Sequence, residues 1–513
     1  MGVLLGIDLG TSGVRAVVVA PDGTLLATGR ASYAISSPRP GWAEQDPEEW
    51  WRAACGAVRE AVGGSGISPR EIRAVGLSGQ MHGLVTVDRA GRPVRPAIIW
   101  PDQRTVEECR DIAERVGEER LYRTAGLPPA TGFFGPSLLW LSRHEPAAYA
   151  RAARAVLPKD YLRYRLTGEW ATDVTDGSGT LLFDVARRSW SLEIVRALGI
   201  REDLLPRVLE SAAVAGAVSG AAAEAGLLPG TPVACGGGDQ MMAAVGSGVI
   251  SEGVAAVSVG TGGQVFTAIR RIVIDPHRRL HTLCHAVPGA WFLMGAILAA
   301  GLALRWFRDR VGGPEVEEAH PDDRASARLA EVAGAAEPGS RGLLFLPYLA
   351  GERTPHMDPH ARGCWVGLSL VHSRADVIRS ILEGVAFALR EALEAIEDAG
   401  ARIRAVVATG GGMRSPLWRQ ILADVLGRPV EVRPETEHSA LGAARVAGVA
   451  TGTYRDLREA AAPSLHGPRE VVAPDPGAVP TYERQFRVYT SLYPALREVA
   501  FRGAGGEATG GRR

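Results

Sequence analysis

Lysine is almost missing from this chain: Lys159 stands alone among bases that are otherwise all arginine. A GxxxxGK[ST] phosphate loop needs a lysine after its glycines, and a protein-kinase strand needs one in a VAIK-like setting. Lys159 sits in Pro158-Lys159-Asp160, so both are excluded. No GxGxxG joins a predicted strand to a predicted helix, which argues against a Rossmann dinucleotide site. Cysteine is sparse: Cys55, Cys109, Cys235, Cys284 and Cys364 are odd in number and form no CxxC pair. Neither a disulfide framework nor a zinc ribbon is indicated. Net charge is missing too, because 57 basic and 57 acidic residues cancel. That removes the usual footprint for nucleic acid or an anionic membrane. One uncharged run, Ala286–Leu304, reaches a bilayer-spanning length, but Pro288-Gly289, Gly295 and Gly301 break it into strand end, turn and buried helix. No basic segment precedes an apolar core at the N-terminus, so a cytoplasmic location is the expectation.

What is present begins at residue 3. Val3–Ile7 is apolar and ends at Asp8; Gly10-Thr11-Ser12-Gly13 follows, then apolar Val14–Ala20. The pattern reads as strand, tight turn, strand. Successive N–H groups in such a turn can cradle a phosphate, and Asp8 at the strand end could hold a hard cation beside it. A plain hairpin with an incidental aspartate fits the same residues. Pro21-Asp22-Gly23 then turns into a third strand, so the chain opens as a meander. Half a chain later Val254–Val259 runs into Gly260-Thr261-Gly262-Gly263, the same unit again. With 513 residues, two related domains are expected, with boundaries of 1–246, 247–500 and a disordered tail at 501–513.

Other candidates fall at predicted strand ends, where open α/β sheets bind ligands. Ile72–Ser78 delivers Gly79-Gln80-Met81-His82-Gly83; Gln80 and His82 suit sugar hydroxyls, and Met81 offers an apolar wall. Trp100-Pro101-Asp102-Gln103-Arg104 puts an aromatic plate beside a carboxylate, although an Asp–Arg pair explains it nearly as well. Val233–Cys235 runs into Gly236-Gly237-Gly238-Asp239-Gln240, placing Asp239 at a helix N-terminus where it can stay ionised and accept a proton; an N-cap aspartate reads the same way. Ile403–Ala408 ends in Thr409-Gly410-Gly411-Gly412-Met413, a turn suited to a nucleotide. His277, His281, Cys284 and His285 invite a metal reading, since a spacing of four would align the three histidines on a helix, but His281–Val287 reads as a strand that scatters them over two faces, which disfavours a metal. The polar stretch Thr172–Asp176 has no role that sequence alone fixes.

In their order these motifs resemble the FGGY carbohydrate kinases, over roughly residues 3–500. The likeness rests on Gly6–Arg15, Ala43–Pro47, Gly79–Gly83, Leu157–Arg163, Gly236–Asp239, Tyr348–Pro355 and Gly410–Ser415. It implies an α/β fold of two ribonuclease-H-like domains, as in the actin/hexokinase/Hsp70 superfamily, with a catalytic cleft between them. It further implies ATP as donor, Mg²⁺ as metal and a small-molecule sugar as substrate, with a homodimer left open. Asp239 becomes the base and Asp8 the magnesium residue. Gln80, Met81, His82, Trp100, Asp102 and Gln240 become sugar residues. Gly10, Thr11, Ser12, Gly260, Thr261, Gly262, Gly410, Gly411, Gly412 and Met413 become nucleotide and phosphate residues. The Gly79–Gly83 and Leu157–Arg163 motifs are most similar to members that phosphorylate D-xylulose; ribulose, erythrulose and gluconate are the alternatives, and a nucleotide-dependent sensor is the competing class. Four positions depart from the family pattern: Ser137 where a lysine is usual, Gly262 where a serine is, Pro101 where an asparagine is, and Gln240 for an asparagine.

Overall fold

In a computed structural model the chain is described at residues 2–312, 324–433 and 437–501. The expected tail lies outside these from residue 502 onward. Local chemistry sets most element ends as the sequence predicts. The helix Pro47–Ser65 starts with Asp46 accepting from the Glu48 N–H at 3.0 Å, has proline at its first position, and stops at left-handed Gly66. The helix Pro416–Leu426 repeats the device with Ser415, Pro416 and Gly427. The helix Pro158–Thr167 stops at left-handed Gly168. Pro146 opens the helix Pro146–Arg151, since proline lacks only an N–H that a helix leaves unpaired there.

Two compact units result, and they interleave along the chain. Among the described residues, the first takes those of Met1–Ile250, Ala268–Phe292 and Glu437–Gly467, and the second the remainder. In the first, the sheet order is Leu25–Ser32, Gly13–Val19, Val3–Leu9, Ile72–Gly79, Pro232–Ala234. The first three strands form an antiparallel meander, and the next two run parallel to Val3–Leu9. In the second, the order Trp291–Ile297, Gly263–Ile269, Val254–Val259, Ala405–Thr409, Val430–Val432 repeats it. Here too Val254–Val259 is antiparallel to its hairpin partner and parallel to Ala405–Thr409. This is the ribonuclease-H-like strand order, present twice.

In the first unit one sheet face is covered by Pro47–Ser65, whose Trp50, Trp51, Cys55, Val58 and Val62 are buried against Val14, Ala16 and Val18. The other face receives the helix His438–Ala450 at backbone distance. A Cβ added at Gly6 would lie 1.9 Å from the Ala440 carbonyl oxygen, and one at Gly76 would lie 1.8 Å from that of Ala443. Gly6 and Gly76 are register partners on adjacent strands, so they form one shallow groove across the sheet.

Candidate active site

The parallel register of the first unit brings three motifs to one sheet edge. Asp8 lies beside Ser78, and Ser78 lies beside Gly237; one residue on, Leu9, Gly79 and Gly238 form the next rung. Asp239 follows directly and begins the helix Asp239–Ser247. Glycine is required on this strand for space. A side chain at Gly236, whose φ is +79°, would meet the Leu77 carbonyl oxygen at 2.0 Å, and one at Gly238 would meet Met81 at 2.8 Å.

Asp239 senses the charge of Asp8. Burial pushes Asp239 up to about 7, and the Asp8 charge adds to the shift, against an opposing hydrogen bond from Gln240. Asp8 is itself raised by burial, with the Ser78 hydroxyl and Arg15 working against the rise. The Ser78 hydroxyl donates to Asp8 Oδ1 at 2.7 Å.

Around the turn Gly10–Gly13 every carbonyl is turned inward. Tyr33 donates its hydroxyl to the Gly10 oxygen, Gln45 Nε2 donates to that of Thr11 at 2.7 Å, and the Tyr33 N–H donates to that of Ser12 at 3.2 Å. The N–H groups of Thr11 and Ser12 have no protein acceptor among the described residues, which is the arrangement of an anion nest. The Trp100 indole N–H donates to Thr11 Oγ1 at 2.9 Å. The Asp102 carboxylate is fully buried and taken by Arg104 at 2.7 and 2.9 Å and by the Ala43 N–H at 2.7 Å. Gln80 is buried, and its amide N–H₂ donates to Gln45 at 3.0 Å.

Met81 and His82 line a wall with residues that the sequence did not single out. His82 has a φ of 73° and stacks on Phe133 with centroids 3.9 Å apart. Its Nδ1 lies 2.7 Å from the Gly179 carbonyl; an acceptor there requires Nδ1–H, which makes Nε2 an acceptor in the neutral ring. Thr175 Oγ1 accepts from the Gly238 N–H at 3.1 Å. Beneath this wall lies a wholly buried charge cluster. Lys159 Nζ sits 2.6 Å from Asp160, 2.9 Å from Asp173 and 3.5 Å from Asp176, and Arg163 pairs with Asp160 at 2.9 Å. The available signals were the solitary lysine, the Leu157–Arg163 motif and the polar stretch Thr172–Asp176, none of which showed that they meet. Ser137, where the family pattern has lysine, is fully buried within the helix Phe134–His144.

In the second unit, the turn Gly260–Gly263 rests on the N-terminus of the helix Gly301–Arg310. The N–H groups of Ala300 and Leu302 donate to the Thr261 carbonyl, that of Gly301 donates to Gly260, and Arg305 reaches Thr261 Oγ1 at 3.0 Å. Gly262 accounts for its departure from serine: a Cβ there would lie 2.9 Å from the Ile297 carbonyl oxygen. The strand Ala405–Thr409 adjoins Val254–Val259 and ends at Gly410, φ 91°, where a Cβ would strike the Val259 backbone. Gly411 opens onto free space and Met413 is buried behind it.

A duplicated ribonuclease-H-like fold, with a glycine-threonine turn in each half and a buried, raised carboxyl beside one of them, is of the actin/hexokinase type. The FGGY family of carbohydrate kinases matches this chain with its N-terminal domain at residues 3–246 and its C-terminal domain at 255–451. The chain belongs to that family, and it is a carbohydrate kinase that uses ATP. It is similar to the xylulose kinase of Escherichia coli (strain K12), with 38% identity over 89% of this chain and 91% of that one. Among solved structures it is similar to xylulose kinase from Rhodospirillum rubrum, with a TM-score of 0.87, 30% identity, and 97% and 99% of the two chains covered. It is also similar to gluconate kinase from Lactobacillus acidophilus, with a TM-score of 0.90, 26% identity, and 98% and 99% covered. Among the described residues no helix is long and apolar enough to cross a membrane.

Proposed function

We propose that this protein transfers the γ-phosphoryl group of ATP to the carbon-5 hydroxyl of D-xylulose, with Asp239 as general base. The observation that supports this most is the Asp239 carboxyl, raised to about 7 beside Asp8 at a strand end next to Met81 and His82. A base of that strength is ionised at cellular pH and still takes a hydroxyl proton effectively. The similarity to relatives named as xylulose kinases selects the sugar. Met81 and His82 bind it, His82 Nε2 accepting a hydroxyl hydrogen, while Gln80, Trp100, Asp102 and Gln240 shape and brace the wall. The sugar is assigned to residues 1–246 and the nucleotide to 247–500. The setting is a cytoplasmic enzyme, acting as monomer or homodimer.

Phosphoryl transfer is chiefly positioning and charge neutralisation. The free N–H groups of Thr11 and Ser12 face phosphate oxygens, as do those of Thr261 and Gly262, the Gly260 N–H being taken by the Gly262 carbonyl at 3.0 Å; Gly410–Gly412 border the adenosine and Met413 backs it. The donors fit Mg²⁺: Asp8 is a buried oxygen ligand that raises a second carboxyl, so a dication there relieves a repulsion. No group of three or more carboxylate, histidine or cysteine side chains that could hold a metal occurs among the described residues. Mg²⁺ keeps water and phosphate oxygens as ligands, so one protein carboxylate suffices. When bound, the ion neutralises charge on the transferring group.

The test is ADP release with Mg-ATP over D-xylulose, D-ribulose, L-ribulose, L-xylulose, erythrulose, D-gluconate and glycerol. D-xylulose is expected to give the highest kcat/KM by far. A preference for another member would move the sugar assignment and leave the transfer chemistry. Absence of turnover on every member, with ATP still bound, would overturn the enzyme reading in favour of a sensor.

A further inference from the structure

The buried cluster under the sugar wall holds one carboxylate too many. Lys159 and Arg163 supply two positive charges, and Asp160 and Asp173 supply two negative ones at 2.6 to 2.9 Å. Asp173 also accepts from the Thr175 N–H at 2.8 Å, the Thr175 hydroxyl at 2.5 Å and the Ser211 hydroxyl at 3.1 Å. Asp176 is the surplus. It is 0% exposed, neither of its oxygens has a hydrogen-bond donor among the described residues, and Lys159 stands 3.5 Å away. An ionised carboxylate is not kept in such a place, because burial of an undonated charge costs several kcal/mol, whereas proton uptake removes that cost.

The segment around Asp176 touches the reaction site twice. Val174–Gly177 is one helical turn, and Ser178–Thr180 continues it. Thr175, just before Asp176, accepts from the Gly238 N–H, which immediately precedes the base. Gly179, three residues later, accepts from His82. The segment is pinned from behind by the Ser178 hydroxyl, which accepts from the Cys284 N–H at 3.0 Å.

Resting on the reading of Asp239 as base and His82 as sugar ligand, we propose that Asp176 is a positioning residue: a buried carboxylic acid, kept uncharged, that fixes the Val174–Thr180 turn against both Gly238 and His82. Burial holds its carboxyl well above the ordinary range, with Lys159 opposing and Asp173, Asp160 and Asp239 reinforcing. The neutral state matters because the cluster then sums to zero charge beneath Asp239. An ionised Asp176 would place a further negative charge near the base and drive it toward protonation.

Three variants and one spectrum decide it. Asp176→Asn replaces a neutral acid by a neutral amide and is expected to keep kcat and sugar KM within about threefold. Asp176→Leu fills the space without an acceptor for Lys159; kcat is expected to fall and sugar KM to rise, each about tenfold or more, with ATP KM unchanged. Thr175→Val removes the bond to Gly238 directly and is expected to lower kcat more than it raises sugar KM, which keeps the test alive if Asp176→Leu does not fold. The infrared difference between the parent and Asp176→Asn at pH 7.5 is expected to show the carbonyl band of a protonated carboxyl. A carboxylate band there, an Asn variant as impaired as Leu, losses that fall equally on ATP, or a fully active Thr175→Val would each overturn the proposal. The underlying reading fails separately: a fully active Asp239→Asn removes the base and leaves the infrared result standing.

Discussion

The two glycine-threonine turns sit at the same place in the same strand order, yet they differ in charge. Asp8 ends the first strand of one sheet and pairs across to Ser78; Ser258 holds that position in the other and pairs across to Thr409. The turns differ in length as well. Leu9 pairs with Val14 across four intervening residues, whereas Val259 pairs with Gly263 across three. The first turn is braced by side chains, namely Tyr33, Gln45 and Trp100. The second is braced by the start of a helix. Duplication therefore supplies two turns of the same kind, and the matching positions beside them differ in charge, Asp8 in one half and Ser258 in the other. A carboxylate beside a phosphate is repulsive unless a cation joins it, so one half can host Asp8 with a metal while the other stays neutral.

The largest effect should come from the charged half alone. Asp239→Asn is expected to lower kcat by ~10²–10⁴-fold, the usual range for loss of a general base, while Ser258→Ala in the neutral half leaves kcat within about threefold. Steady-state ADP release on both proteins checks the contrast, and equal losses would break it. The same substitution carries a stability signature. Asp239 has a folded pKa of about 7, above the 3.8 of an ordinary aspartate. Below pH 3.8 both folded and unfolded forms are protonated and nothing is lost; as pH rises toward 7 only the unfolded form ionises, so the folded state is disfavoured. Asp239→Asn should therefore be more stable than the parent at pH 8, by about 1–3 kcal/mol. The gap should shrink toward pH 4 in urea titrations.

Next in size is the pH profile. Catalysis needs ionised Asp239, so kcat/KM for the sugar should fall about tenfold per pH unit below about 7. ATP binding measured without sugar should lack that limb, since Asp239 is proposed to take its proton from the sugar hydroxyl and not from the nucleotide. A shared limb would show that the two halves are coupled through one ionisation.

Much of this contrast was legible in the sequence because it is written in short local signals. The strand-turn-strand repeat, the Asp46-Pro47 and Ser415-Pro416 helix starts, and the three glycines before Asp239 each act within a few residues. What stayed hidden depends on contacts between distant segments. The Asp102–Arg104 pair was legible as an alternative to a ligand role, but its complete burial and the bond from the Ala43 N–H, 59 positions away, were not. Trp100 faces Thr11 from 89 positions away. The Lys159–Asp173–Asp176 cluster joins two motifs whose spacing carries no periodic signal, and Phe133 and Gly179 reach His82 only after folding.

The smallest effects should come from exchanging the turns' own residues. Gly262→Ser gives the second turn the Gly-Thr-Ser-Gly sequence of the first without its extra residue. Its Cβ would lie 2.9 Å from the Ile297 carbonyl oxygen, a backbone atom that cannot swing away. The cost is about 1–3 kcal/mol of stability, and ATP KM should rise about tenfold as the Gly260–Gly263 N–H groups turn out of line. The reverse change, Ser12→Gly, meets no such wall, because Ser12 is exposed and its carbonyl remains held by the Tyr33 N–H. It should cost only the added chain freedom of glycine, about 0.5–1 kcal/mol, and shift ATP KM by no more than about threefold. Isothermal titration of ATP against both variants separates the cases. A Ser12→Gly loss as large as that of Gly262→Ser would mean that the serine hydroxyl itself grips phosphate, and that the side-chain-braced turn works by a different contact from its helix-braced counterpart.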